Sequence, residues 1–156
     1  MRTRIAVLVS MAMLAVMSLL PAAEAGSGDR ARVLVYSETA AFRHASIPAG
    51  IAAIEKLGRS HRFTVDTTED SAQFTDANLA RYDAVVWLST TGDVLNDEQQ
   101  AAFERYIQGG GGYVGIHSAS DTEYDWPWYG GLVGAYFKGH PAIQQAILTD
   151  EEMVGR

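Results

Sequence analysis

The chain has 156 residues, a formal net charge of −7 and no cysteine. Without cysteine there is no thiolate nucleophile, no disulfide framework and no Cys-ligated zinc site. An acidic chain is repelled by phosphate backbones and anionic lipids, so we expect neither a nucleic-acid partner nor a membrane partner once any leader is removed.

The first 25 residues have the pattern of a secretory signal peptide. Arg2 and Arg4 precede an apolar run at 5–20, and Ala23 and Ala25 supply the small residues that signal peptidase prefers. The run is shorter than the roughly 20 residues of a membrane-spanning helix, so an uncleaved anchor is the weaker alternative. We predict a leader at 1–25, a domain at 26–156 and a secreted or periplasmic location.

Strand and helix patterns alternate through the rest of the chain. In order they are a strand at 32–36, a helix from Ser46 to Gly58, a strand at 62–67 near a sheet edge, a short helix at 76–81, a strand at 83–88, a helix from Asn96 to Gly109, a strand at 112–116, a helix through 132–137 that stops at Gly139, and a poorer strand pattern at 143–148. Such alternation predicts a doubly wound α/β fold, with a parallel sheet covered by helices on both faces.

In a sheet of this kind, functional groups lie just past the carboxyl ends of the strands. The exit of the fourth predicted strand resembles a nucleophile elbow, with small residues around a central position that His117 occupies. Ser118 is one position away, so a serine hydrolase fits the spacing badly, although Ser118 remains a catalytic candidate. The structural alternative for His117, a buried ring bonded to the backbone, is less favoured.

Two further histidines lie near predicted helix ends. His44 precedes a helix N-terminus, where backbone N–H groups favour an anion or a polar ligand, and it is equally well explained as an exposed loop residue. His140 follows a helix end and, by itself, is better explained by an interaction with the helix dipole.

Residues 121–129 concentrate three carboxylates and four aromatic rings. Sugars stack their C–H faces on aromatic rings while carboxylates accept their hydroxyl protons, and a surface loop fixed by tryptophan is an equal alternative. The candidate substrate-binding residues in this segment are Asp121, Tyr124, Asp125, Trp126 and Trp128.

Five segments together resemble the ThuA-like (trehalose utilisation) family, a branch of the class I glutamine amidotransferase-like superfamily. They are 33–36, 42–47 (Phe-Arg-His-Ala-Ser-Ile), 82–86, 111–119 (ending in Gly-Ile-His-Ser-Ala) and 137–141 (Phe-Lys-Gly-His-Pro). The likeness extends over about residues 32–146. It implies a flavodoxin-like sheet and a role in the utilisation of trehalose or a related disaccharide, including an oxidised 3-keto sugar.

The resemblance places His117 where amidotransferases carry their catalytic cysteine, and a chain without cysteine cannot hydrolyse glutamine that way. It also places His44 and His140 on family motifs. A His-based reaction would abstract the proton next to a ketone, with His117 or His44 as base. Lys138, or a zinc-like divalent ion held by His44, His117 and His140, would stabilise the enolate.

Two alternatives from other classes remain. One is a non-catalytic carbohydrate-binding module that uses Trp126, Trp128 and Tyr129. The other is an inactive fragment, because the resemblance implies further strands beyond about Ala146; on that reading the domain is incomplete at its C-terminus and 26–156 exposes an apolar edge. The sequence does not predict the oligomeric state.

Overall fold

The computed structural model describes residues 30–142, 144, 145 and 147. Its elements are β1 (Arg32–Tyr36), α1 (Ile47–His61), β2 (Thr64–Thr68), α2 (Asp76–Leu79), β3 (Ala84–Leu88), α3 (Asp97–Gln108), β4 (Gly112–Ile116) and α4 (Pro127–Val133), with short 3-10 turns at Ser71–Gln73 and His117–Ser120. The predicted leader and half of the predicted strand at 143–148 lie outside the described residues, and residues 144, 145 and 147 are not in a strand. Within them, no helix is both long and apolar enough to cross a membrane.

The four strands form one parallel sheet in the order β2-β1-β3-β4. β2 is an edge strand, as its alternating sequence predicted. The chain moves outward from β1 to β2 and then crosses back to β3 on the other side of β1. The order therefore reverses between β1 and β3, which is where open α/β sheets bind their ligands.

Apolar residues cover both faces of the sheet, which confirms the predicted doubly wound, flavodoxin-like α/β fold. On one face α1 packs through Ile51 and Ile54 on Val35, Val86 and Leu88. The other face is a larger, aromatic core to which β1, β3, α3 and α4 contribute Tyr36, Trp87, Phe103 and Tyr129. β1 and β3 are consequently buried on both sides, as is usual for the inner strands of a parallel sheet.

Two predicted helix ends are wrong. Gly58 does not end α1; it is buried inside the helix, where a Cβ would lie 2.8 Å from the carbonyl oxygen of Phe63. Arg62 takes the left-handed position instead, with φ of 64°. α4 ends at Gly134, with φ of 85°, rather than at Gly139, so Phe137 belongs to the loop that follows.

Candidate functional site

Three loops meet at the carboxyl edge of the sheet, and backbone hydrogen bonds join them. The loop after β3 forms parallel bridges to both neighbours, pairing Thr91 with Thr39 and Gly92 with Thr122. The amide of Gly92 also donates to the carbonyl oxygen of Asp121 at 2.9 Å. The loops that follow β1 and β4 are thus held in a fixed relation by the loop between them.

Buried threonines fix these loops from beneath. Thr90, Thr91 and Thr122 are fully buried. Thr91 Oγ1 donates to the carbonyl oxygen of Phe42 at 2.8 Å, and Thr122 Oγ1 donates to that of Ser118 at 3.1 Å. The segments that carry His44 and His117 are therefore both bonded to one buried polar layer.

A bidentate ion pair holds the loop after β1 from its outer side. Both terminal nitrogens of Arg43 donate to the carboxylate of Glu69, at 3.1 and 2.6 Å. Arg43 immediately precedes His44, and Glu69 immediately follows β2. Arg43, the middle residue of the Phe-Arg-His motif, therefore holds the loop that carries His44.

His117 occupies a strained turn directly after β4. Its φ of 55° lies in the left-handed region, which costs a residue with a Cβ about 1–2 kcal/mol. Gly115 allows the close packing of this turn, because a Cβ there would lie 2.6 Å from the hydroxyl of Tyr113. Ser118 and Ala119 are buried while His117 is exposed, so the turn leaves the imidazole at the surface, as in an elbow.

The structure brings His44 and His117 together. Their ring centroids are 4.5 Å apart with the planes at 83°, an edge-to-face contact. Ser118 Oγ lies 3.4 Å from Nδ1 of His44. The two rings lie in a pocket of about 390 Å³, whose lining residues are Phe42, His44, His117, Ser118, Ser120, Asp121, Phe137 and His140.

The surroundings of His44 favour its neutral form. Burial, and then the neighbouring His117, lower the pKa of His44, while Asp121 opposes them. A neutral imidazole at pH 7 can accept a proton. When Nδ1 carries the ring hydrogen and donates to Ser118 Oγ, the lone pair of Nε2 is free for that purpose.

The predicted three-histidine metal site does not fit the described structure. Residues 30–142, 144, 145 and 147 contain no group of three His, Cys, Asp or Glu side chains able to hold a metal ion. His44 and His117 pack edge to face, and Nδ1 of His140 lies 2.8 Å from the carbonyl oxygen of Pro141. Although all three rings line one pocket, the zinc-like ligand set is not formed there.

The predicted sugar-stacking tryptophans belong to the protein core. Trp126 is 6% exposed, and its Nε1 donates to Glu104 at 3.0 Å. The ring of Trp128 stacks on that of Trp126, with centroids 5.1 Å apart, and contacts Phe103 of α3. α4 starts between the two tryptophans, at Pro127, and both rings pack on the aromatic core, with Trp126 buried and Trp128 half-buried. These rings do not line the histidine pocket, so the prediction that they bind substrate is corrected.

Of the other predicted binding residues, only Asp121 lines the histidine pocket. Tyr124 is not part of the pocket lining, and its hydroxyl donates to Asp121 Oδ1 at 2.6 Å. Asp125 is exposed and lines a separate surface cleft beside Asp93. Lys138 is exposed and outside the pocket lining, so its proposed contact with an enolate has no support in this geometry.

Glu123, the third carboxylate of the segment, is a structural residue. It is 1% exposed, and its Oε1 accepts the amides of Val94 and Leu95 at 2.8 Å while Oε2 accepts Gln100 Nε2 at 2.7 Å. Burial raises its pKa, and these donors work against that rise. Glu123 therefore ties the loop after β4 to the start of α3 instead of orienting a sugar.

Sequence reasoning missed three pocket residues, Phe42, Ser120 and Phe137. The two phenylalanines stand inside the Phe-Arg-His and Phe-Lys-Gly-His-Pro segments, where the histidines drew attention instead. Phe42 stands in a predicted loop two residues before His44, whereas Phe137 was predicted at the end of a helix, three residues before His140. An apolar ring close to each motif histidine was the available signal.

Comparison with known proteins identifies the family and the fold of the chain. The sequence model of ThuA, described as trehalose utilisation, matches residues 32–154. A crystal structure of a ThuA-like protein from Bacteroides uniformis ATCC 8492 is similar, with 26% sequence identity and a TM-score of 0.57. The match covers 67% of this chain and 44% of that one, so this chain spans less than half of that protein's length. No curated protein matches the chain.

Proposed function

This chain belongs to the ThuA (trehalose utilisation) family, and on that premise we propose that it binds a disaccharide of the trehalose class in the histidine pocket and cleaves its 3-keto form. The observation that carries the proposal is the pair of imidazoles 4.5 Å apart in a pocket at the carboxyl edge of the sheet. The signal-peptide pattern at 1–25 adds that the reaction takes place outside the cytoplasm.

The ketone supplies the chemistry. A C–H bond next to the carbonyl is acidified, so a base removes that proton and the bonding electrons form an enolate. The ketone then re-forms as the electrons of the enolate make a new double bond to the anomeric carbon, the glycosidic C–O bond breaks, and the departing oxygen takes up a proton. The products are an unsaturated keto sugar and a free sugar, with no oxidant or reductant consumed.

The residues of the pocket match the needs of this elimination. His44, neutral and free at Nε2 when Ser118 accepts from Nδ1, receives the carbon-bound proton. His117, whose ring lies 4.5 Å from that of His44, supplies a ring N–H that donates to the enolate oxygen, and the proton taken up by His44 passes to the departing oxygen. Asp121 accepts hydrogen bonds from sugar hydroxyls. The scheme uses neither Lys138 nor a metal ion.

Replacing each imidazole tests the proposal. We expect His44→Gln and His117→Gln each to lower the cleavage rate of 3-keto-trehalose by about 100-fold or more while sugar binding persists. His61→Gln is the matched control, because His61 is exposed at the end of α1 and bonds only to Ser60 and Leu57 among the described residues. Rates follow from chromatography of the released sugar.

Unchanged cleavage by His44→Gln would refute the catalytic role. A wild-type protein that binds the sugar without cleaving it would refute the enzymatic proposal and favour a binding module.

A further inference from the structure

Two phenylalanine rings are exposed in the histidine pocket. Phe42 is 68% exposed and Phe137 is 39% exposed, and both line the cavity together with Asp121 and the histidines. Phenylalanine is ordinarily buried, and exposed apolar rings bordered by polar groups mark ligand-binding surfaces. Their exposure therefore calls for a ligand of matching chemistry.

The backbones of both phenylalanines are held by hydrogen bonds, although their rings are exposed. The carbonyl oxygen of Phe42 accepts the buried Thr91 hydroxyl at 2.8 Å. The amide of Phe137 donates to the carbonyl oxygen of Ser120 at 2.8 Å, and its own carbonyl oxygen lies 2.7 Å from the Tyr124 hydroxyl. Both backbones are held by hydrogen bonds while both rings remain open to solvent, as a preformed binding surface requires.

Each phenylalanine also contacts a histidine of the pocket. The Phe42 ring packs on His44 with centroids 4.9 Å apart and planes at 80°. The Phe137 ring lies 5.9 Å from His140. A ligand resting on Phe42 is consequently placed next to the imidazole that we assign as the base.

We infer that Phe42 and Phe137 form the stacking surface for a pyranose ring of the substrate, the role that sequence reasoning gave to Trp126 and Trp128. The inference rests on the proposed function and adds to it the specificity-determining residues. The C–H face of a pyranose lies on an aromatic ring while its hydroxyls reach polar partners at the rim. Asp121, on the same lining, accepts such hydroxyls.

The test measures the affinity of α,α-trehalose by isothermal titration calorimetry. We expect Phe42→Ala and Phe137→Ala each to weaken binding by about tenfold, since one aromatic contact is lost in each. Phe42→Tyr and Phe137→Tyr keep a stacking ring and are expected to bind within a few-fold of wild type. Leu57→Ala removes an apolar side chain on α1 whose exposure, 49%, lies between those of the two phenylalanines, and it is expected to leave binding unchanged.

Wild-type affinity in both alanine variants would overturn the inference while leaving the sugar function standing. A wild-type protein that binds neither trehalose nor its 3-keto form would refute the proposed function, and the stacking surface with it. Thermal unfolding of each variant checks that the fold is retained, which we expect because every replaced side chain is exposed.

Discussion

Three residues other than glycine adopt the left-handed backbone region at the carboxyl edge of the sheet. They are Ser89, His117 and Glu123, with φ of 52°, 55° and 55°. Ser89 and His117 directly follow β3 and β4, where the chain turns sharply away from the sheet. Such strain persists only where the surrounding packing imposes it, and at His117 it coincides with an exposed imidazole.

This strain predicts an ordering of two variants at position 117. His117→Gly and His117→Ala both remove the imidazole, so both lose cleavage. Glycine adopts φ of 55° without a Cβ penalty, so we expect His117→Gly to be more stable than His117→Ala by about 1 kcal/mol. Urea denaturation measures the difference. Equal stability of the two variants would mean that the turn stores no strain.

The titration of His44 provides a test that needs no substrate. His117 lowers and Asp121 raises the pKa of His44, so we expect His117→Gln to raise this pKa and Asp121→Asn to lower it further. NMR titration of the imidazole C–H signals reports both shifts. A response of the same sign in both variants would contradict the assigned environment.

The same shift fixes the direction of the pH dependence. The pKa of His44 in the folded protein lies below its ordinary value of 6.5. Between the folded pKa and pH 6.5, the unfolded chain therefore binds more protons than the folded protein. The contribution of His44 to stability is therefore complete above about pH 6.5 and decreases as the pH falls through the folded pKa. We expect the proposed cleavage, which requires neutral His44, to become slower as the pH falls through the same range.

At the scale of single residues, the turn at His117 was predicted correctly from the sequence, and the position of the two tryptophans was not. Small neighbours on both sides of a histidine at a strand exit have one structural reason, a tight turn. Aromatic rings next to carboxylates have two possible reasons, because such rings can contact either a ligand or a neighbouring helix. Only the packing of α4 on α3 decides between them, and local sequence carries no information about that packing.

Among the elements, α3 depends on a residue far along the chain. The amides of Val94 and Leu95, which precede α3, are both bonded to the buried Glu123 carboxylate. We expect Glu123→Ala to lower the free energy of unfolding by about 3 kcal/mol, since it leaves buried donors unpaired. Glu123→Gln keeps an acceptor oxygen and is expected to cost about 1 kcal/mol. Thermal or urea unfolding measures both values, and equal stability of all three proteins would contradict the assigned role.

The pH dependence of this link has the opposite sign to that of His44. Burial raises the pKa of Glu123 above its ordinary value of 4.5, so the folded state holds the proton more tightly than the unfolded chain. Relative to Glu123→Gln, the wild type should therefore lose stability as the pH rises from about 4.5 through the folded pKa. A difference between the two proteins that does not change with pH would show that Glu123 has no raised pKa.

Element boundaries were predictable where a single property determines them. The capping box of Asn96 and Gln99 fixes the start of α3 and is present in the structure. Glycine was a poorer guide to helix ends, because Gly58 serves the close approach of Phe63 and not termination. A glycine can meet either requirement, and the choice depends on which strand lies beside it.

For the whole molecule, the outer side of β4 has consequences for association. β4 pairs with β3, and no second strand pairs with it among the described residues. Val114, at the middle of β4, is 46% exposed. Exposed apolar side chains on a strand favour association with another chain, so we expect the protein to self-associate through this strand.

Two variants of similar shape test the edge. Val114→Thr lowers the apolar area and is expected to reduce association, while Val114→Ile raises it and is expected to increase association. Light scattering over a concentration series measures both, with binding of a hydrophobic dye as a second readout. Identical behaviour of the two variants would show that β4 takes no part.

The bridges among the three loops also limit how this pocket can be re-engineered. A residue inserted after β3 would displace Thr91 and Gly92, which pair with Thr39 and Thr122. The two loops that carry His44 and His117 would therefore both move. Loop length is therefore a shared property of the three segments, and grafting one loop from a relative should fail unless the other two come with it. Changes of ligand preference are accessible by point substitution at the pocket wall, whereas insertions are best directed to the opposite, amino-terminal edge of the sheet.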